Sequence, residues 1–364
     1  MDAPPASSPR VAIEALSSAR RALRIAVVTE TYPPEINGVA MTIGRIVAAM
    51  RERGHQIQLI RPRQSRQDTD AGESNLEQIL QPGIPIPRYG NLRMGLPARS
   101  SLLKLWREKC PDVVHLVTEG PLGGSALSAA LKLDIPVVSD FHTNFHTYSG
   151  HYGFGWLKTP IESYLRKFHN RTRLTMVPTR AMRDELGQDG FRNIEVVARG
   201  VDTDLFHPQH RSDALRASWG VRPEDLVALY VGRLAPEKNL PLALRAFEAL
   251  RARHQGTKLV LVGDGPMRGQ LARNYPQAVF AGMRTGTDLA AHYASGDVFL
   301  FPSVTETFGN VVLEAMASGL AVVAYDDAAA SLLIQHRQNG ELVELGDATR
   351  FIRPQSASPG TAAI

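Results

Sequence analysis

A chain of 364 residues, 43% hydrophobic and 21% charged, is too long for a single hydrophobic core and too apolar for disorder, so two soluble globular domains are expected. The single cysteine, Cys110, excludes an internal disulfide and any zinc site built on several cysteines. The net charge of +5 lies wholly in residues 1–207, where 26 Lys and Arg face 21 Asp and Glu, a one-sided field that fits an anionic membrane surface and is too sparse for a nucleic-acid groove.

Residues 1–22 are rich in Ala, Ser, Pro and Arg, lack an apolar run of signal-peptide length and read as a disordered leader. Nowhere do about 18 apolar residues follow one another. The expectation is a cytoplasmic protein, at most peripheral on the inner face of the plasma membrane. From residue 23, apolar runs rich in Val and Ile alternate with stretches of helical period. Strands are expected at 23–29, 56–60, 112–117, 135–139, 174–177 and 194–197, with a helix at 38–53 that gathers Val39, Ile43, Ile46, Val47 and Met50 on one face. This is a first domain, 23–207. A passage rich in Pro and charge, 208–225, reads as a linker. The pattern then restarts, with strands at 226–231, 258–262, 278–281, 298–301 and 321–324 and helices at 240–254, 266–273, 288–294 and 310–318. That gives a second domain, 226–347, and an irregular tail, 348–364. The fold class is α/β: two Rossmann-like, doubly wound parallel-sheet domains in series, which place a cleft where the carboxyl ends of the two sheets meet.

The richest local constellation follows the strand at 298–301. Pro302 and a polar turn lead to Thr307, Phe308, Gly309 and Asn310, where a helix begins with unpaired backbone N–H groups suited to a phosphate. Glu306 lies in the turn and Glu314 roughly one turn into the helix, so carboxylates able to accept from vicinal sugar hydroxyls flank the anion site. Glu306 could instead simply complement the helix dipole. Glu314 lies within the apolar run Val311-Val312-Leu313-Glu314-Ala315-Met316, where a solvated charge is out of place. Arg233 and Lys238, in the loop after the first strand of the second domain, can converge on a diphosphate and neutralise the charge that develops as it leaves. Such a site requires no metal.

In the first domain, Asn37 and Gly38 stand where the first strand turns into the first helix, and Gly38 leaves its backbone bare. After the strand at 135–139 come Asp140, Phe141 and His142, then Tyr148 and His151. His142 is followed four residues later by His146, but the glutamate of the metalloprotease pattern is missing, so the segment reads as a substrate wall with His142 nearest the cleft. Gly263-Asp264-Gly265-Pro266 reads as a tight turn before a helix started by Pro266. Neither a Walker A motif nor GxSxG is present, which disfavours P-loop phosphoryl transfer and serine hydrolysis.

Together these residues resemble the two-domain retaining glycosyltransferases of GT-B architecture, and within them glycosyltransferase family 4. The resemblance spans residues 24–347. It rests on Asn37-Gly38, Asp140-Phe141-His142-Thr143, Arg199-Gly200-Val201-Asp202, Gly232-Arg233 with Lys238, Gly263-Asp264-Gly265-Pro266, and Glu306 with Glu314 around Phe308-Gly309-Asn310. It implies that Glu314 binds the donor ribose and Glu306 the transferred sugar. Arg233 and Lys238 would hold the diphosphate with the amides of Thr307, Phe308, Gly309 and Asn310, and with Gly38 across the cleft. Arg199 would belong to the donor site. His142 would sit beside the sugar, its backbone carbonyl stabilising positive charge. Asn37, Tyr148 and His151 would lie on the acceptor side. His142, Glu306, Arg233 and Lys238 would carry catalysis, with no cofactor or metal and a nucleotide-diphosphate sugar as co-substrate.

The stretch His142-Thr143-Asn144-Phe145 with Tyr148 looks most like GDP-mannose-dependent α-mannosyltransferases acting on lipid or glycan acceptors. A UDP-sugar donor is the alternative within the class, and a phosphorylase is disfavoured because no lysine context for pyridoxal phosphate appears. Family members continue with helices that cross back to the first domain, whereas the turn-rich 353–360 leads nowhere. The resemblance therefore implies a shortened second domain with reduced stability, and keeps open a nucleotide-sugar-binding protein that does not turn over.

Overall fold

The computed structural model describes residues 21–35, 37–65, 68, 74–86, 89–142, 158–304 and 306–353. The first sheet is built from β1 (Arg24–Val28), β2 (Gln56–Pro62), β3 (Leu76–Gln81), β6 (Val113–Leu116), β7 (Val137–Asp140), β8 (Leu174–Val177) and β9 (Ile194–Val196). It is parallel throughout, in the order β3-β2-β1-β6-β7-β8-β9. Along the chain between β3 and β6, β4 (Gly83–Ile86) and β5 (Tyr89–Gly95) form an antiparallel hairpin of their own. The second sheet runs β12-β11-β10-β13-β14-β15, also parallel, with β10 at Val227–Val231, β11 at Lys258–Val262, β12 at Val279–Gly282, β13 at Val298–Phe301, β14 at Ala321–Tyr325 and β15 at Gly340–Val343.

The unbroken apolar runs of the sequence are strands buried on both faces, as a parallel sheet between helix layers requires. In β10 all five residues are buried, and they alternate: Val227, Leu229 and Val231 pack into one core with Val260, Phe299 and Val322, while Ala228 and Tyr230 pack into the opposite core with Leu259, Leu300 and Val323. The strand order reverses direction between β1 and β6 in the first sheet and between β10 and β13 in the second. Each reversal opens a crevice at the carboxyl ends of the strands, the place where open α/β sheets bind ligands.

Three expected boundaries change. Residues 208–225 are no linker: a short turn at Pro208–His210 and a helix at Asp213–Ser218 lead into Trp219 and Val221, which join Phe206 in the core of the second domain. Arg216, buried in that helix, pairs with Asp297 at 3.0 Å and donates to the carbonyls of Ser295 at 2.9 Å and Asp225 at 2.7 Å. Of the charges that looked like linker composition, Arg216 and Asp225 are buried and belong to an internal network. Arg216→Ala should cost about 3 kcal/mol by leaving the Ser295 and Asp225 carbonyls unpaired and Asp297 with only Arg211 and the Val227 N–H, seen as a drop in Tm of several degrees.

The second correction concerns the tail. Residues Ala348–Ile352 form a helix, capped by the Asp347 carboxylate accepting from the Arg350 N–H at 2.9 Å, and fully bury Phe351 against Tyr325, with ring centroids 5.3 Å apart. They belong to the second-domain core. Third, the helix expected at Pro266 begins at Arg268, because Gly265–Arg268 closes as a turn, with the Arg268 N–H bonding to the Gly265 carbonyl at 3.1 Å, and the first helical bond runs from the Leu271 N–H to the Met267 carbonyl at 2.9 Å. The leader, apart from its last two residues, and the end of the tail from residue 354 lie outside the described residues.

Candidate active site

The wall contributed by the second domain comes from the two loops at its switch point. After β10, Gly232 and Arg233 lead to a short turn at Pro236–Lys238 and then to the helix Leu240–Arg253, whose cap Asn239 adopts a left-handed conformation. After β13, the chain passes Pro302 and Glu306 to Gly309, also left-handed with φ +89°, which caps the helix Asn310–Ala317. The Lys238 ammonium and the Glu306 carboxylate join the two loops in an ion pair, and the Asn239 amide donates to the Pro302 carbonyl at 3.4 Å. The Arg233 guanidinium lies 3.6 Å from the Glu237 carboxylate and is 40% exposed, so it stays at the surface of this loop rather than in the core.

Beneath this wall, two glycines make room for the loop that carries Arg233. A Cβ on Gly263, where φ is +131°, would meet the Gly232 carbonyl oxygen at 2.0 Å, and one on Gly265 would meet the Leu234 carbonyl oxygen at 2.4 Å. The Gly263-Asp264-Gly265 turn is thus the floor on which the 232–234 loop rests, as the Leu234 N–H donating to the Asp264 carbonyl at 2.9 Å also shows. Gly263→Ala should lower stability by about 2 kcal/mol or more, read as a lower Tm, and displace Arg233 with the loop.

Glu314, one turn into the helix, is only 9% exposed. It accepts from the Tyr293 hydroxyl at 3.0 Å and lies 3.5 Å from the Arg45 guanidinium of the first domain. Burial pushes its carboxyl above the ordinary value, with Arg45 and the Tyr293 hydrogen bond opposing. Buried between the core residue Tyr293 and Arg45 of the first domain, it is not a solvated surface charge.

The facing wall comes from the first domain and the chain that leaves it. Asn37 caps the helix Gly38–Glu52: its side-chain oxygen accepts from the Ala40 N–H at 2.8 Å, and its amide donates to the Thr31 hydroxyl at 2.7 Å. Its side chain is therefore spent on the helix end, which gives the Asn-Gly pair a structural reason. A Cβ on Gly38 would meet nothing within 4 Å, so no protein atom demands glycine there and the space beside it is open. Thr42 and Arg45, four and seven residues on, extend the same helical face as Gly38. Thr42 gathers three contacts on one hydroxyl: it accepts from Arg199 at 3.2 Å and from the Asn310 amide at 3.1 Å, and donates to the Gly38 carbonyl at 2.7 Å.

His142 closes the arrangement. Its Nε2 is 3.1 Å from Asp140 Oδ2 and its Nδ1 2.7 Å from the Arg199 guanidinium, while its carbonyl accepts from the Thr307 hydroxyl at 2.6 Å across the cleft. His115 Nε2 lies 3.0 Å from the same Asp140 oxygen. Burial by itself would raise the Asp140 carboxyl; the two imidazoles outweigh it and hold it well below the usual carboxylate range. Arg199, pushed below its ordinary value by burial against the attraction of Asp140, also lies over the Phe308 ring with its guanidinium carbon 5.8 Å from the centroid.

Of the residues expected from sequence, Glu306, Lys238, Arg233, Thr307, Phe308, Gly309, Asn310 and Glu314 share one wall, and His142, Arg199 and Gly38 meet it from the other. Tyr148 and His151 lie outside the described residues. Thr42, Arg45, His115 and Tyr293 were not among those expected. For Thr42 and Arg45 a signal existed, the spacing of four and seven from Gly38 on the polar side of an amphipathic helix. For His115 and Tyr293 there was none, because only the sheet order and helix packing bring them to Asp140 and Glu314.

Comparison with known proteins agrees with this architecture. Residues 36–205 match the Glycosyltransferase Family 4 model and residues 225–354 the Glycosyl transferases group 1 model. The chain is 34% identical over 334 residues to a GDP-mannose-dependent alpha-mannosyltransferase of Mycobacterium tuberculosis, covering 89% of this chain and 85% of that one. It is 31% identical to the sulfoquinovosyl transferase SQD2 of Arabidopsis thaliana, covering 85% of this chain and 60% of that one. Among solved structures, Anabaena Alr3699/HepE in complex with UDP superposes with a TM-score of 0.72 at 20% identity, over 93% of this chain and 92% of that one. Two parallel-sheet domains meeting at their switch-point loops, together with these matches, make this chain a glycosyltransferase of family 4 with GT-B architecture.

Proposed function

We propose that the protein is a retaining hexosyltransferase that moves mannose from GDP-mannose to a lipid or glycan acceptor. The observation that carries the reading is the second-domain wall itself: Lys238 paired with Glu306, Arg233 beside it, and the buried carboxylate of Glu314, all around the start of the helix Asn310–Ala317. In this reading the donor ribose takes the place of Arg45 at Glu314. The diphosphate lies at the helix start between Arg233 and Lys238, and Glu306 exchanges its pairing with Lys238 for hydroxyls of the transferred sugar. Departure of the diphosphate then builds negative charge where two cations already stand, so electrostatic stabilisation of the leaving group supplies much of the rate. The acceptor attacks from the face the diphosphate leaves, and that diphosphate takes the acceptor proton, which retains configuration without a protein nucleophile. The diphosphate charge is met by side chains, so turnover should persist in excess chelator.

Mannose as the transferred sugar draws its support from the 34% identical relatives. The charge excess of the first domain supports an acceptor presented at an acidic membrane surface, reached from the cytoplasmic side. Incubating the protein with radiolabelled GDP-mannose or UDP-glucose, with and without membrane lipid extract, tests the reading. Extract-dependent transfer from GDP-mannose to an α-linked product is expected. A preference for UDP-glucose would move the donor to the uridine class, in line with the UDP-bound structural neighbour. Release from neither donor would sink the enzyme reading in favour of a binding protein.

A further inference from the structure

His142 is held on three sides, and the chemistry of its partners decides its protonation pattern. A guanidinium only donates hydrogen bonds, so Nδ1, 2.7 Å from Arg199, must present its lone pair. The ring proton then belongs on Nε2, where the Asp140 carboxylate waits as acceptor at 3.1 Å. Both ring nitrogens are thereby occupied, in a pocket where His142 and Asp140 are both buried. The third hold is the backbone carbonyl, which accepts from Thr307 of the opposite domain.

We propose that Asp140 and Arg199 clamp His142 as the neutral Nε2–H tautomer, and that Arg199 is a positioning residue for this ring. Arg199 is suited to the task because it follows β9 on the segment that crosses between the domains. Its second nitrogen donates to Thr42, whose hydroxyl also accepts from Asn310 at the start of the second-domain helix. From the second domain, Thr307 at the carbonyl and Asn310 at Thr42 brace the clamp. A ring so held neither takes a proton from the acceptor nor gives one to the leaving group. Its work is to fix the carbonyl of its own residue at the mouth of the cleft. This separates Arg199 from the donor ligands with which its motif groups it.

The decisive measurement is a long-range 1H–15N spectrum of the donor-free protein labelled with 15N-histidine, with the His142 signals assigned by their loss in His142→Gln. An unprotonated Nδ1 and a protonated Nε2 are expected at neutral pH; a protonated Nδ1 overturns the proposal. This arm needs no turnover, so it stands apart from the proposed reaction, on which only the kinetic arm rests. There, Arg199→Ala should mix the tautomers and lower kcat about tenfold or more with the donor KM changed less than threefold, and Arg199→Lys, which restores one N–H donor, should recover most of kcat. A rise in donor KM that matches or exceeds the fall in kcat, or a His142 spectrum unchanged in Arg199→Ala, overturns the positioning role. Should Arg199→Ala not fold, the wild-type spectrum still decides the tautomer.

Discussion

Glu314→Gln is expected to lower kcat/KM about 100-fold or more while leaving Tm unchanged or raising it. The two effects have one origin. A carboxylate facing ribose hydroxyls accepts charge-assisted hydrogen bonds worth about 1.5 to 3 kcal/mol each, and an amide accepts through one oxygen only, without charge. In the donor-free protein the same carboxylate is a burden, because burial raises its pKa. Its favourable share of stability is fully present below its ordinary range and is lost as pH rises through the raised value, so at neutral pH the folded protein holds a charge it would rather neutralise. Glutamine removes that cost and still accepts from Tyr293. Arg45 loses its partner, but its side chain is 34% exposed and water replaces the contact. Thermal melts at pH 5 and pH 8 check the sign: the variant's advantage should be larger at pH 8. A variant that loses stability at both would show that the Arg45 pair outweighs desolvation.

Lys238→Met should lower kcat by about 100- to 1,000-fold, with a smaller change in donor KM, the scale expected when one preorganised group at a developing charge is removed. The effect has two parts in this site. The ammonium that meets the leaving diphosphate is gone, and Glu306, which it holds in an ion pair between the two switch-point loops, is freed from its position. Lys238→Arg keeps the charge but not the compact geometry, and should fall between the two. Turnover at saturating donor measures this directly. A fall confined to KM would make Lys238 a ground-state ligand rather than a group acting on the transition state.

Much of this molecule is legible in one dimension. Runs such as Val227–Val231 and Lys258–Val262 declare buried parallel strands because a sheet covered on both faces tolerates no polar side, so no alternation is needed to find them. The edge strand Leu76–Gln81, with Glu77, Gln78 and Gln81 among its six residues, carries no such run and passes unnoticed. The same holds for the hairpin Gly83–Ile86 with Tyr89–Gly95, an antiparallel pair inserted into a parallel pattern. Composition misled where charge was internal. Arg216 and Asp225 looked like linker residues, yet Arg216 is buried in a network, and a charge satisfied inside reads in sequence like a charge in water.

The sequence by itself determined the two α/β domains, the order of their strands along the chain and the second-domain wall, because Arg233, Lys238, Glu306 and Glu314 sit at fixed short distances from strand ends and a helix start that local physics defines. Tertiary structure alone decided how the first-domain wall is assembled and how the two walls meet. Arg45 reaches Glu314 across 269 positions of chain, Thr42 reaches Asn310 across 268, and Arg199 reaches His142 across 57. No local propensity encodes such pairs. They exist because each sheet reverses its order at one point and so gathers distant loops at a single crevice, where two domains closing on one another supply the partners.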